Sequence, residues 1–158
     1  MKIKNWLGIT AVIIICFTQT AFSAEKKLAP DFTLKDLAQK NFTLNDYINK
    51  QPVLLFFWTT WCPFCREELK ILKEKYAELA KDGLELAAIN AGESSLKVER
   101  FTKDYNLPFR VLLDKDYAVS NAFDVLGVPT YILIDKKGYI RLVEHSFPKE
   151  KYKSIIAE

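Results

Sequence analysis

The sequence predicts an α/β fold in which a mixed central sheet is flanked by helices. A continuous apolar run at residues 53–58 is followed by a helix-patterned segment at 63–82 and a second apolar run at 84–90. Such a β-α-β unit implies parallel strands joined by a right-handed crossover. Two short strand-like segments near the C-terminus, separated by a turn, predict an antiparallel hairpin. Together the two patterns predict one sheet with both strand directions.

The N-terminus has the pattern of an export signal and is expected to lie outside this fold. Two early lysines precede an apolar core at residues 6–17, and Ala21–Ser23 supplies small residues at the −3 and −1 positions of a cleavage site. The core is short for a membrane span, which needs about 20 apolar residues. We predict a signal peptide at residues 1–23, or alternatively an uncleaved membrane anchor, and a folded domain at residues 24–158.

The composition of residues 24–158 excludes several classes of protein. Loss of Lys2 and Lys4 leaves 21 basic and 20 acidic side chains, so we expect no nucleic-acid partner. Two of the three cysteines remain, Cys62 and Cys65. One close pair is not a disulfide framework, and a chain of this length buries a core without disulfides. The pair is therefore available for chemistry.

The first half of the domain begins with a predicted hairpin, formed by residues 31–37 and 42–44, and a single helical turn at 45–49. The run at 53–58 has no polar position, which suits a strand buried on both faces of a sheet. Helical spacing then follows, and Gly83 is the stop signal. The apolar positions at that spacing are Cys65, Leu69, Leu72, Tyr76 and Leu79.

The second half alternates shorter elements. Ser94 or Ser95 is a candidate side-chain cap for a helix that reaches about Tyr105. The remaining elements are assigned from apolar runs and turn residues. They are an extended piece at 109–113, a short helix at 117–123, strands at 130–134 and 139–144, and a closing helix at 148–157.

The pair Cys62 and Cys65 opens the predicted helix directly after the first buried strand. A thiol at a helix N-terminus is stabilised as the thiolate, which is the form that attacks disulfides. A zinc site needs two more ligands, and beyond this pair the domain offers only His145 as a further cysteine or histidine. A buried inert pair is the other alternative. The position favours a reversible two-electron redox centre with no metal and no cofactor besides its own disulfide.

Several motifs then resemble one known family. The Cys62–Cys65 motif at the end of an apolar strand resembles a thioredoxin-fold active site, and Gly127–Thr130 before a later strand resembles the second thioredoxin signature, whose proline is cis. The segments Asp31–Leu34 and Ile89–Ser94 narrow the resemblance to the TlpA/ResA-like branch of exported thiol–disulfide oxidoreductases. The resemblance implies a thioredoxin-like fold with an N-terminal β-hairpin extension.

The resemblance also implies roles for the residues around the pair. The turn with cis Pro129 is expected to lie against both cysteines, where its ring would keep metal ions from the sulfurs. The backbone of Val128 is expected to pair with an extended substrate segment. Trp61 and Phe64 are expected to form an apolar rim that docks protein substrates, whereas Trp58 is expected to be packing.

One departure from the family pattern concerns the proton acceptor. In thioredoxin a buried aspartate lies six residues before the first cysteine, and here that position is Phe56. Glu68 lies three residues after Cys65 on the same helix face, and the TlpA/ResA-like branch has a glutamate there. We hypothesise that Glu68 exchanges a proton with Cys65, the alternative being a solvated first-turn acid. Glu93 is a second candidate, and Glu67 is expected to be a surface acid.

The sequence thus predicts an exported thiol–disulfide oxidoreductase in the periplasm or at the outer face of the cytoplasmic membrane. Pro63 and Phe64 offer no charge or donor to the Cys62 thiolate, which favours a reductant over an oxidant. The resemblance implies protein disulfide substrates, such as those of cytochrome c maturation, and a membrane thiol-reductant transporter as electron donor. We expect a monomer.

Two other functions remain open at this point. Thr59-x-x-Cys62 matches part of a peroxiredoxin pattern, although the proline expected four residues before the threonine is Leu55. A copper-handling protein that binds the metal through its two thiolates is the other alternative, although His145, the histidine that could join them, follows the last strand and is expected to be an exposed side chain.

Overall fold

A central mixed sheet organises the fold, and the structure, a computed structural model, describes residues 27–157. The predicted signal segment at 1–23 lies outside these residues. A β-hairpin precedes the sheet, a 3-10 turn at Leu44–Asp46 follows the hairpin, and four helices flank the sheet. The strands are β1 Thr33–Lys35, β2 Asn41–Thr43, β3 Val53–Trp58, β4 Glu85–Ala91, β5 Arg110–Asp114, β6 Thr130–Ile134 and β7 Ile140–Glu144. The helices are α1 Pro63–Lys81, α2 Ser95–Tyr105, α3 Ala118–Ala122 and α4 Lys151–Ile156.

The topology confirms the predicted mixture of strand directions. The five strands of the central sheet lie in the order β5-β4-β3-β6-β7. The strand β3 is parallel to β4, which is parallel to β5, whereas β6 is antiparallel to β3 and to β7. The predicted N-terminal hairpin is also confirmed as a separate antiparallel pair, β1-β2.

The strand β3 is at the centre of the sheet, and all six of its side chains are fully buried. Leu54, Phe56 and Trp58 face the core cluster that also contains the buried residues of α1. The alternate side chains face a second cluster on the opposite side of the sheet, which includes Phe42 of the hairpin. Because both faces are covered, β3 is an apolar run without alternation, as the sequence indicated.

One helix cap and two element boundaries differ from the sequence-based expectation. Ser94 is the N-cap residue of α2, but its side chain makes no capping hydrogen bond, so neither serine caps in the predicted way. The helical turn predicted at 45–49 is a 3-10 turn at Leu44–Asp46. The closing helix begins at Lys151 rather than at Pro148, and a turn closed by the hydrogen bond from the Tyr152 N–H to the Pro148 carbonyl leads into it.

A buried carboxylate fixes the short helix α3. Tyr117 occupies its N-cap position with φ at 60°, where its side chain makes no capping bond. Asp114 replaces that cap, since its carboxylate accepts hydrogen bonds from the Val119 N–H at 3.1 Å and from the Ser120 N–H and Oγ at 2.8 and 2.6 Å. The end of β5 therefore determines where Tyr117 and Ser120 lie.

We predict that Asp114→Asn lowers the free energy of unfolding by about 2 kcal/mol, because the amide presents N–H groups to donors that need a charged acceptor. Urea unfolding followed by circular dichroism measures the loss. The matched control is Asp104→Asn at an exposed position of α2. Equal stability of the two variants would contradict the capping role.

Candidate active site

The two cysteines lie where β3 ends and α1 begins. Cys62 is the N-cap residue of α1, and its Sγ accepts a hydrogen bond from the Cys65 N–H at 3.1 Å. Pro63 occupies the first helical position, where its missing N–H has no intrahelical partner to lose. Both thiols are free, and Cys62 is 3% exposed whereas Cys65 is fully buried. The predicted placement at a helix N-terminus is thus found.

The environment of Cys65 holds its thiol in the protonated form. Burial, followed by the hydrogen bond with Cys62, raises the pKa of the Cys65 thiol to about 12, although the backbone of Thr59 acts in the opposite direction. A thiol of this kind must give up its proton before its sulfur can attack. The site therefore needs a proton acceptor beside Cys65.

Glu68 lies on the same face of α1 as Cys65 and is half-buried. Its Oε2 accepts hydrogen bonds from the Tyr131 hydroxyl at 2.9 Å and from the Phe147 N–H at 3.0 Å. Burial, then the charge of Glu68 and its hydrogen bond, then Cys65, raise the pKa of Tyr131, so the hydroxyl stays protonated as the donor. Glu68 is thus a fixed carboxylate and not a solvated acid.

The two other acids considered from the sequence have different surroundings. Glu67 is exposed and pairs with Lys70 at 2.9 Å, as expected of a surface acid. Glu93 is buried after the end of β4 and accepts hydrogen bonds from Thr60 and Asn90. Phe56, which occupies the position of the family's aspartate, stacks on Tyr131 with ring centroids 4.6 Å apart.

The turn before β6 closes the second side of the site. The Val128–Pro129 peptide bond is cis, as the resemblance implied. The Cys62 Sγ lies 3.7 Å from the Val128 carbonyl oxygen and donates to it. The structure therefore brings the cysteine pair and the cis-proline turn together, although they are far apart in sequence.

The sequence did not place His145 at this turn. Its Nδ1 lies 2.9 Å from the Pro129 carbonyl oxygen and 3.2 Å from the Thr130 Oγ1. The Thr130 hydroxyl is already a donor to the Gly127 carbonyl at 2.7 Å. Because both atoms facing Nδ1 act as acceptors, Nδ1 is assigned as the protonated nitrogen. His145 is exposed, as expected, and it supports the cis-proline turn.

Exposed apolar side chains surround Cys62. Trp61 and Phe64 are 64% and 75% exposed, whereas Trp58 is fully buried against Phe101, as predicted for each. A groove of about 400 Å³ begins at Trp61. Its other lining residues include Thr59, Tyr117, Leu126 and Val128. Leu126 and Tyr117 were not identified from the sequence, because isolated apolar residues in loops give no periodic signal.

The part of the chain that the structure describes has neither a metal-binding cluster nor a membrane-spanning helix. Residues 27–157 contain no cluster of three or more histidine, cysteine or acidic side chains arranged to hold a metal ion. Among the same residues, no helix has the length and apolar character needed to cross a membrane.

Comparison with known proteins identifies the family. The model of the AhpC/TSA family matches residues 26–143. The thiol–disulfide oxidoreductase ResA of Geobacillus thermodenitrificans is 38% identical over 138 residues, which are 87% of this chain and 79% of that protein. The Bacillus subtilis ResA is 36% identical over 142 residues, covering 84% and 79% of the two chains.

Solved structures agree with the sequence relatives. A putative thiol:disulfide interchange protein DsbE from Chlorobium tepidum superposes with a TM-score of 0.74 at 27% identity, covering 84% of this chain and 94% of that one. A putative thioredoxin from Neisseria meningitidis gives a TM-score of 0.72 at 31% identity, covering 84% and 90%. The chain therefore belongs to the AhpC/TSA family and is a ResA-like thiol–disulfide oxidoreductase with the thioredoxin fold.

Proposed function

We propose that this chain is an exported protein disulfide reductase that uses Cys62 and Cys65 as its dithiol. The observation that supports this most directly is the position of the Cys62 sulfur. It lies at the N-terminus of α1, 3.1 Å from the Cys65 N–H, and beside the carbonyl of Val128. The N–H group stabilises a thiolate there. The exposed apolar rim beside it suits a protein substrate.

The first step is attack by the Cys62 thiolate on one sulfur of a substrate disulfide. A mixed disulfide forms between Cys62 and the substrate, the substrate's own S–S bond breaks, and the second substrate sulfur leaves as a thiolate that takes a proton. During this step the backbone of Val128 pairs with the substrate segment, and Trp61 and Phe64 contact its apolar side chains.

The second step resolves the mixed disulfide. Cys65 transfers its proton to Glu68, and its thiolate attacks the Cys62 sulfur, so that the Cys62–Cys65 disulfide forms and the substrate leaves as a dithiol. Two electrons pass from the enzyme to the substrate. Tyr131 and the Phe147 N–H hold one carboxylate oxygen of Glu68 in position for this transfer.

The cellular setting is part of the same proposal. The export pattern at residues 1–23 supports a location in the periplasm or at the outer face of the cytoplasmic membrane. A reductase in an oxidising compartment needs an electron donor, for which we propose a membrane thiol-reductant transporter. Envelope proteins with disulfides, such as those of cytochrome c maturation, are the proposed substrates. The protein acts as a monomer.

The peroxidase and copper alternatives differ from this proposal in measurable ways. The proline that the peroxidase pattern needs is replaced by Leu55, which is fully buried in β3. Copper handling predicts tight Cu(I) binding without disulfide reduction. A Cu(I) titration beside insulin-reduction and peroxide-consumption assays therefore separates the three functions.

The order in which the two cysteines react predicts that the mixed disulfide with a substrate can be trapped. Cys65→Ala is expected to accumulate mixed disulfides with substrate proteins, because Cys62 attacks and nothing resolves the product. Cys62→Ser is expected to form none and to lose reductase activity. Non-reducing gels and mass spectrometry of cross-linked envelope fractions identify the partners. Retained reductase activity in Cys62→Ser would falsify the mechanism.

The burial of Cys65 gives a second prediction. Because the pKa of its thiol is raised to about 12, a short iodoacetamide pulse at about pH 8 is expected to modify Cys62 and leave Cys65 unmodified in the native protein. Mass spectrometry of tryptic peptides measures both sites. In denaturant both cysteines should react, which is the control. Equal modification of the native cysteines is the contradicting result.

The role of Glu68 gives a third prediction. Reaction of the reduced enzyme with an aromatic disulfide such as dithionitrobenzoate releases one coloured thiolate when Cys62 attacks and another when Cys65 resolves. Glu68→Gln is expected to slow only the second release, by about tenfold. Stopped-flow absorbance resolves the two phases.

The control for that experiment is the neighbouring exposed acid, since Glu67→Gln removes the same charge one residue away. Both phases should be unchanged in this control. If Glu68→Gln also leaves the second phase unchanged, Glu68 is not the proton acceptor of Cys65.

A further inference from the structure

The short loop between β3 and α1 is held at Thr60 from two sides. The Thr60 N–H and hydroxyl donate to the two carboxylate oxygens of Glu93, at 2.6 and 2.7 Å. On the other side, Nε and Nη2 of Arg66 donate to the Thr60 carbonyl oxygen at 3.0 and 2.8 Å. A carboxylate and a guanidinium thus bind every polar group of one residue, two positions before Cys62.

Glu93 is itself fixed in its place. It is 8% exposed, and it also accepts hydrogen bonds from the Asn90 Nδ2 at 2.8 Å and the Lys97 Nζ at 2.6 Å. Burial alone would raise the pKa of Glu93, but the hydrogen bonds from Lys97, Asn90 and Thr60 outweigh it and hold that pKa below its usual value. A carboxylate with these donors is suited to holding the backbone rather than to taking a proton from Cys65.

Arg66 ties the same loop to the helix. Its backbone N–H donates to the Cys62 carbonyl at 3.3 Å in the first turn of α1. Its guanidinium lies over the Phe101 ring of α2, 6.0 Å from the centroid. Glu93 precedes α2, so the loop is connected to α1 on one side and to the β4–α2 junction on the other.

We propose that Glu93 and Arg66 are positioning residues that hold the Thr60 backbone from opposite sides and thereby fix the Cys62 sulfur at the Cys65 N–H. Only Trp61 separates Thr60 from Cys62, so movement of Thr60 displaces the N-cap residue directly. The inference rests on the proposed function in one respect, namely that Cys62 is the attacking thiol. Glu93 and Arg66 touch neither sulfur in this arrangement and act through the loop.

Glu93 and Arg66 have opposite charges, so substitutions at the two positions can distinguish a loop-holding role from a direct electrostatic effect on the Cys62 thiolate. If Glu93 acted only through its charge, its removal would favour the Cys62 thiolate. If it acts by holding the loop, its removal weakens the hydrogen bond from the Cys65 N–H and disfavours the thiolate. Loss of Arg66 disfavours the thiolate in both cases. The sign of the effect at Glu93 is therefore decisive.

The test measures the rate at which iodoacetamide alkylates Cys62 at about pH 7 and at about pH 10, which lie below and above the ordinary pKa range of a thiol. The rate at about pH 7 divided by the rate at about pH 10 reports how strongly the Cys62 thiolate is stabilised, because access to the sulfur affects both rates equally. In Glu93→Ala this ratio is expected to fall about three- to tenfold. The control Glu99→Ala removes a carboxylate whose side chain is 47% exposed and pairs with Lys103, and its ratio should equal that of the parent protein.

A second variant keeps the test decisive if Glu93→Ala does not fold. Arg66→Gln at the exposed side of α1 is expected to lower the same ratio about threefold, whereas Lys70→Gln, which removes an equal charge one turn away, should not. An unchanged or increased ratio in Glu93→Ala, or lower stability with an unchanged ratio in either variant, overturns the proposal. Alkylation needs no substrate, so such a result would not contradict the proposed disulfide reductase function. The trapping experiment tests that function separately.

Discussion

The burial of β3 on both faces is the constraint on which the site depends. All six side chains of this strand are fully buried, and Thr59 and Thr60 after it are buried as well, so the first exposed side chain is that of Trp61. The helix α1 must then begin immediately, because its apolar face covers the same strand. The two cysteines at this junction receive different environments. Cys62 is the N-cap residue of α1 beside the exposed Trp61 and is 3% exposed, whereas Cys65 lies one turn later and is fully buried.

This difference in burial determines the chemistry that the pair needs. A thiol that is buried like Cys65 keeps its proton, so resolution of a mixed disulfide requires an acceptor within the core. The centre of β3 holds Phe56 instead of an acid, and its ring stacks on Tyr131 of β6. That stack places the Tyr131 hydroxyl on Glu68 of α1. The carboxylate therefore reaches the site from the helix and is held there by a strand.

Most of the fold was predictable because its signals are local. The apolar run of β3, the helical spacing of α1 and the stop at Gly83 each depend on adjacent residues, and the structure has these elements within about two residues of the expected bounds. The cis bond at Pro129 was predicted from resemblance, since no local pattern fixes it. The missing side-chain cap of α2 shows the limit of a local rule, because Ser94 occupies the position without making the bond.

The supports of the site were not predictable, because they join distant segments. Tyr131 is 63 residues from Glu68, and Glu93 is 33 residues from Thr60. No periodic pattern in the sequence links the two residues of either pair. The residues of each pair meet only when the sheet has formed. As a result, each of the two carboxylates supports a different part of the site, because Glu68 is held by Tyr131 beside α1 and Glu93 holds Thr60 in the loop before Cys62.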